Sequence, residues 1–272
     1  MRTSFSTLTF ALLLAGPLVA GPGVAAETLR LGGTGGILEA IRQVGPPFAI
    51  ATGLKLEVNA GLGTAGAMRA LADGNLDVVF SARDLDPNEK KAGLIARPIA
   101  RTPLVFVTSH PDPNGLKSGD LAAIFASQNP KWADGTPLKI ILRTKVDADT
   151  AIVGGAIPGL AAAIEAARRR TDVPVAATDQ DNVTIAQRLA GSLTFAGYGQ
   201  IVAENCDLRL VPIDGVVPNL NNLANGKYPY EKMFYLVFAQ ARSAGAEQLL
   251  RFLRSEEGRQ ILRGNGNLPI GE

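Results

Sequence analysis

The sequence predicts an α/β protein of two lobes, with a second α/β block inserted between two crossing strands of the first. Three observations carry this. Twice near its start, an alternating strand runs into a glycine loop and then into a helical pattern, as in βα units of a parallel sheet. Two strongly apolar stretches, Leu104-Val105-Phe106-Val107-Thr108 and Phe234-Tyr235-Leu236-Val237-Phe238, match in composition but lie far apart. Between them, residues 109–233 carry helices and strands of their own.

Residues 1–26 stand apart from the rest. Arg2 is their only charge, Leu8 to Ala20 is apolar, and Val24-Ala25-Ala26 offers small residues for cleavage. This is the pattern of a secretory signal peptide, cut before Glu27, and it implies export. The first strand then holds Leu29 and Leu31, and Gly32-Gly33-Thr34-Gly35-Gly36 forms the first glycine loop. Ile37, Ile41, Val44 and Phe48 follow at helical spacing, and Gly45-Pro46-Pro47 is expected to break or restart that helix.

Leu54, Leu56 and Val58 alternate with Lys55, Glu57 and Asn59, the period of a strand with one buried face. Gly61, Gly63 and Gly66 then bracket Thr64, and a helix carries Met68 and Leu71 to a stop at Asp73-Gly74. Leu76 to Phe80 reads as a buried return strand ending in Ser81-Ala82-Arg83-Asp84. Both loops present backbone N–H groups and a threonine hydroxyl at a helix N-terminus, which suits an anion or polar ligand. The same pattern also serves a plain tight turn. Two such loops on neighbouring parallel strands would converge on one crevice.

In the inserted block, helices are expected over Leu121 to Ala126, Ile157 to Arg170 and Thr184 to Ala190. Strands are expected at Leu138 to Leu142 and Thr194 to Tyr198. After the second crossing, Ala246, Leu249, Leu250 and Leu253 mark one face of a closing helix. The domains read as 27–106 with 235–272 for the first lobe and 107–234 for the second.

Composition narrows the chemistry. Of 272 residues, 46% are hydrophobic, enough for a sizeable core. Without the first 26 residues, 26 Lys+Arg face 25 Asp+Glu, so neither nucleic acid nor an anionic membrane is an expected partner. Cys206 is the only cysteine, so no internal disulfide forms, and a buried, inert thiol is expected. With one histidine, a zinc site is not expected, and no cofactor is implied. His110 lies in a Pro-rich loop beside the first crossing and reads as a surface or hinge residue rather than the centre of a triad. Asp147/Asp149 and Asp179/Asp181 lack the glycine and glutamate of a calcium loop, so they read as turns and helix caps. Arg168-Arg169-Arg170 reads as a solvated helix end and Trp132 as packing.

Several stretches also carry a resemblance. In chain order they are Gly61-Leu62-Gly63-Thr64-Ala65-Gly66, Asp77-Val78-Val79-Phe80-Ser81-Ala82-Arg83, Pro103-Leu104-Val105-Phe106-Val107 and Leu121-Ile124-Phe125. Phe195-Ala196-Gly197-Tyr198, Asn225-Gly226-Lys227-Tyr228-Pro229 and Phe252-Leu253-Arg254-Ser255-Glu256-Glu257-Gly258 complete the set. Together they resemble the type II periplasmic substrate-binding proteins, in particular the phosphate-binding component of ABC importers. The resemblance covers nearly all of the chain after residue 26. It implies the two-lobed type II periplasmic-binding-protein fold, with a mixed sheet flanked by helices in each lobe and two hinge strands. It implies no enzymatic activity, and a monomer.

The resemblance further implies a small oxyanion, phosphate first, captured between the lobes and delivered to an ABC permease. Thr34, Thr64 and Arg143 would hold it with the backbone N–H groups of Gly35, Gly36 and Ala65, and Ser81 and Arg83 at the strand end belong to the same candidate set. The sequence departs from the family in two places. An aspartate expected after Ser81 is Ala82, and the anion nest expected after Arg143 contains Asp147 and Asp149 in place of hydroxyls. At an effective dielectric of ~20, a like charge ~4 Å away costs on the order of 4 kcal/mol, enough to abolish tight anion binding unless the side chains turn away. The alternatives are therefore a cation, amine or polyol ligand, or a sensor subunit in place of an importer. An enzyme would need an acid–base pair in the cleft, for which only Asp147 and Asp149 offer themselves.

Overall fold

The structure, a computed structural model, describes residues 27–242 and 244–271; the expected signal peptide lies outside them. Strand β1 (Thr28–Gly33) leads into helix α1 (Gly35–Thr52), followed by β2 (Lys55–Asn59), α2 (Gly63–Ala72) and β3 (Val78–Ser81). β1 is flanked by β2 and β3, both parallel to it, with Leu31 opposite Val58 on one side and Val78 on the other. The two glycine loops therefore leave the same end of adjacent strands, as the pattern predicts.

α1 buries Ile37, Ile41, Val44 and Phe48, but Pro46-Pro47 does not break it. Pro46, Arg42 and Gln43 are exposed, so the backbone bonds lost to the prolines lie where water can serve the freed carbonyls. Val44 and Phe48 hold the opposite face in the core. The helix ends at Gly53, whose φ of 78° closes it with an N–H bond to the Ala49 carbonyl at 2.9 Å. In α2, Met68 and Leu71 are buried, and Gly74 (φ 76°) follows as the predicted stop.

Helix α3 (Pro87–Lys91) is fixed by a capping box between Asp86 and Glu89. Strand β4 (Leu94–Thr108) is the first crossing. Its first part, from Leu94 to Pro103, pairs antiparallel with β10 (Glu231–Ala239), the second crossing strand. A register shift opposite Phe234/Tyr235 accommodates Pro98, which cannot donate to the ladder. From Leu104 on, β4 changes partners.

The inserted block runs α4 (Ser118–Ala126), β5 (Lys139–Ile140), β6 (Leu142–Arg143), α5 (Ala148–Ala156), α6 (Leu160–Ala167), β7 (Val175–Ala176) and α7 (Asp179–Arg188). It continues with β8 (Ser192–Gly197), α8 (Tyr198–Ala203), β9 (Arg209–Val211) and α9 (Leu220–Ala224). After β10 come α10 (Ala244–Arg254), α11 (Glu256–Gly264) and β11 (Leu268–Pro269). β4 pairs β8 over Leu104 to Val107 and β9 over Phe106 to Thr108. The order of the main sheet is β2-β1-β3-β10-β4-β8-β5, so a single strand, β4, links its two halves. Tyr228, buried and followed by Pro229, donates from its Oη to the Leu104 carbonyl at 2.9 Å, which pins the chain at this crossing.

Three sequence expectations shift in this block. The strand expected over Leu138 to Leu142 divides at Ile141, β5 joining β8 and β6 joining β7. The anion nest expected after Arg143 gives way to α5, which Asp147 caps, as expected of a turn or cap residue. The helix expected from Thr184 begins at Asp179, where Thr178 and Asp181 form a reciprocal capping box.

Each half of the sheet is covered on both faces. In the first half, Leu31, Phe48, Phe80, Phe234 and Leu249 pack under α1 and α10, and Met68, Leu71, Val79 and Val237 pack under α2. In the second, Phe106, Leu121, Phe125, Leu160 and Phe195 pack under α4 and α6, and Val105, Val183, Ala196 and Ile201 under α7 and α8. Separate cores, joined through β4 and through residues 228–230 leading into β10, make two lobes. Among the described residues no helix is long and apolar enough to cross a membrane.

Candidate functional site

A cavity of about 400 Å³ lies between the lobes. The first lobe contributes Thr34 and Gly35 at the start of α1, Gly61 to Ala65 at the start of α2, and Ala82 and Arg83 after β3. The second contributes the stretch from Arg143 to Ala148, Ala151 and Ile152 on α5, and Ala177 to Gln180 at the start of α7. Four helix N-termini thus face one crevice. Lys232 reaches the same space from β10.

Of the residues predicted from sequence, Thr34, Gly35, Thr64, Ala65, Arg83, Arg143 and Asp147 line this cavity. Three others do not. Gly36 is turned toward β10, where a Cβ would stand 3.1 Å from the Lys232 Nζ. Ser81 is buried in its own turn: its Oγ donates to the Arg83 carbonyl at 2.6 Å and accepts the Arg83 N–H at 3.1 Å. Asp149 is buried against Lys232, with Nζ–carboxylate distances of 2.8 and 3.0 Å, and presents nothing to the cavity. Arg83 lines the cavity, but its guanidinium forks onto Glu89 at 2.8 and 2.7 Å. Thr64 accepts the Ala82 N–H at 3.2 Å, which ties the second glycine loop to the end of β3.

Two of the side chains expected to grip an oxyanion, Arg143 and Thr34, are already engaged. Arg143, nearly fully buried on β6, donates to Asp147 at 2.7 Å and to Asp179 at 3.4 Å. The Thr34 hydroxyl donates to the other Asp179 oxygen at 3.2 Å. Lys232 stands 3.6 Å from Asp179 as well as against Asp149. Three carboxylates therefore surround two cations in a buried cluster. Sequence reasoning missed Asp179 and Lys232; the carboxylates at Asp147 and Asp149 were the one hint that a buried cation was needed.

The protonation states follow from this imbalance. Burial works against the Lys232 charge, but Asp149, Asp179 and Asp147 outweigh it and raise its pKa. Arg143 is likewise held above its ordinary value by Asp179, Asp147 and Asp149 against the cost of burial. Burial alone would raise Asp179. Lys232, Arg143, the Thr34 hydroxyl and the Gly35 N–H reverse that and keep it ionised. The excess falls on Asp149, which burial pushes up to about 7, with Asp147 and Asp179 adding and Lys232 opposing.

Other polar groups singled out in the sequence are structural. His110 is buried rather than on the surface: it stacks on Trp132 at 5.0 Å, and its Nε2 lies 3.1 Å from both Asp134 and Thr136. Arg168 is not simply solvated, since its Nη1 donates to the Arg143 carbonyl at 2.9 Å and helps set β6. Cys206 is half-buried, and burial raises its thiol pKa to about 11.

Comparison with known proteins agrees with this architecture. No curated protein sequence matches the chain. Among solved structures, the substrate-binding protein ascribed to a phosphate ABC transporter of Clostridium perfringens, with bound phosphate, superposes with a TM-score of 0.77 at 16% identity. That match covers 90% of this chain and 100% of the other. An ABC-type phosphate transport receptor from Vibrio cholerae gives 0.62 at 14% identity, covering 88% and 99%. The reduced OxyR regulatory domain from Pseudomonas aeruginosa gives 0.57 at 14%, covering 84% and 98%, so the same fold also serves outside transport. The family model of the PBP superfamily domain matches residues 19–257, and the chain belongs to that superfamily.

Proposed function

We propose that this protein is a periplasmic solute-binding protein that takes a small organic solute between its lobes and presents it to a membrane partner, an ABC permease. The observation that carries the reading is the cavity itself. Its ~400 Å³ falls within the range of pockets that enclose small organic ligands. Leu62, Ala65, Ala148, Ala151 and Ile152 give it apolar walls, and Thr64, Thr144 and Lys145 add a few convergent polar groups. Lys145 is exposed, so its charge is available to an acidic group of the solute. The phosphate named for the solved relatives supports a solute-binding role for the cleft; the charge cluster beside α1 argues against phosphate as the solute here.

Isothermal titration calorimetry with small organic acids, amines and sugars, alongside phosphate, sulfate and molybdate, tests this reading. Saturable heat from an organic solute, abolished by Ile152→Trp in the cavity wall, is the expected result. Heat from an inorganic oxyanion alone would restore the oxyanion reading. No heat from any solute would remove the binding role.

A further inference from the structure

Helix α1 opens with Thr34 as its N-cap, but Thr34 makes no capping bond within its own helix, and the first turn holds no acidic residue. The positive end of an 18-residue helix is thus left for a partner from elsewhere. That partner is the side chain of Asp179, which comes from the opposite lobe. One of its oxygens takes the Thr34 hydroxyl at 3.2 Å; the other stands 3.4 Å from Arg143 and 3.6 Å from Lys232.

We propose that Asp179 is the specificity-determining residue of the cleft: its carboxylate occupies the anion seat at the start of α1 and excludes free inorganic oxyanions from it. Charge and space both point this way. A bound phosphate would need the Thr34 hydroxyl and Arg143, which Asp179 already uses. It would also add negative charge to a cluster in which Asp147, Asp149 and Asp179 outnumber Arg143 and Lys232. The space is filled as closely. A Cβ on Gly35 would stand 2.9 Å from the Asp179 Cβ and 2.4 Å from the Gln180 Oε1, so α7 packs directly onto the first turn of α1. Gln180 is itself held there by Glu204 at 2.8 Å.

This inference rests on reading the cleft as the solute site, and the two fail separately. The decisive measurement is calorimetry with phosphate and sulfate on the wild-type protein, Asp179→Asn and Asp179→Ser. Asn removes the charge and keeps the bulk; Ser removes both and adds a hydroxyl to the seat. In either variant Asp147 remains with Arg143 and Asp149 with Lys232, one carboxylate per cation. Asp181→Asn serves as a control, because Asp181 starts the same helix but is exposed and bonds only within its capping box.

The wild-type protein and Asp181→Asn should show no saturable oxyanion heat. Asp179→Ser should bind phosphate at least roughly ten- to a hundredfold more tightly, as expected for one or two recovered charged hydrogen bonds, with Asp179→Asn in between. Tight phosphate binding by the wild type overturns the proposal. So does a folded Asp179→Ser, shown by a cooperative melt, that gains no oxyanion affinity; should the Asn variant unfold, the Ser variant carries the decision. Failure of every organic solute to bind would remove the proposed function and leave these outcomes untouched.

Discussion

The Thr34 hydroxyl and the Asp179 carboxylate come from opposite lobes, 145 residues apart in sequence, and meet at 3.2 Å. The contact depends on a missing side chain next door. Gly35 has no Cβ, and any Cβ there would press on Asp179 and Gln180.

Gly35→Ala should therefore loosen the two lobes. Two effects compete in this variant. Alanine in a helix is favoured over glycine by about 1 kcal/mol, whereas overpacking a tight contact costs typically 1–3 kcal/mol. If the contact is the stronger term, the lobes separate and the variant melts at or below the wild-type temperature. Small-angle scattering should then show a larger radius of gyration. An unchanged radius with a raised melting temperature would mean that Thr34 and Asp179 do not hold the lobes together.

Lys232 should prove more important to stability than any exposed ion pair in the molecule. It is 1% exposed and faces two buried carboxylates. Lys232→Met leaves Asp149 without its nearest cation and Asp179 with Arg143 alone, and breaking a buried pair in this way typically costs 3–5 kcal/mol. Adding Asp149→Asn to that variant should recover part of the loss, because the charge left uncompensated is then smaller. Urea midpoints of the single and double variants measure this. A single variant within 1 kcal/mol of wild type would show that the pair contributes little.

The fold was far more legible in the sequence than the site. Alternation at Leu29/Leu31 and Leu54/Leu56/Val58, with glycines after each, fixes two βα turns locally, since period and turn chemistry lie within a few residues of each other. The crossing strands stand out because a strand buried on both faces reads as an unbroken apolar run. The charge cluster has no such local signature. Asp179 reads as a helix-start acid like Asp181, and only tertiary packing sends one to α1 and the other to its own cap. Lys232 is hidden at the polar edge of an apolar strand. Pro46-Pro47 misled in the other direction: propensity predicts a break, but the prolines fall on the solvent side of a helix anchored by Val44 and Phe48.

Processing gives a prediction independent of the cleft. The charge-poor apolar segment before Ala26 resembles a signal peptide, and β1 begins at Thr28, so a cut before Glu27 would leave the whole first strand intact. N-terminal sequencing of the protein from producing cells should read from Glu27 or within a residue or two of it. A cytosolic product that retains Met1 would contradict export.

The last prediction concerns pH. Asp149 is a carboxylic acid whose pKa burial raises to about 7 from an ordinary value of 3.8. In the folded state it binds its proton more tightly than in the unfolded state, so between those two values the folded chain holds more protons. Stability from this group is then greatest on the acid side and falls as pH rises toward about 7, levelling off above it. Asp179, lowered by folding, contributes with the opposite sign at more acid pH, but it does so equally in a variant that retains it. The informative quantity is therefore the stability of the wild type minus that of Asp149→Asn, taken from urea midpoints between pH 4 and 8. This difference should decrease steadily with rising pH as the wild-type group is forced to ionise beside Asp147 and Asp179. A difference that grew with pH would mean that Lys232 keeps Asp149 ionised throughout, and that the excess proton of the cluster sits elsewhere.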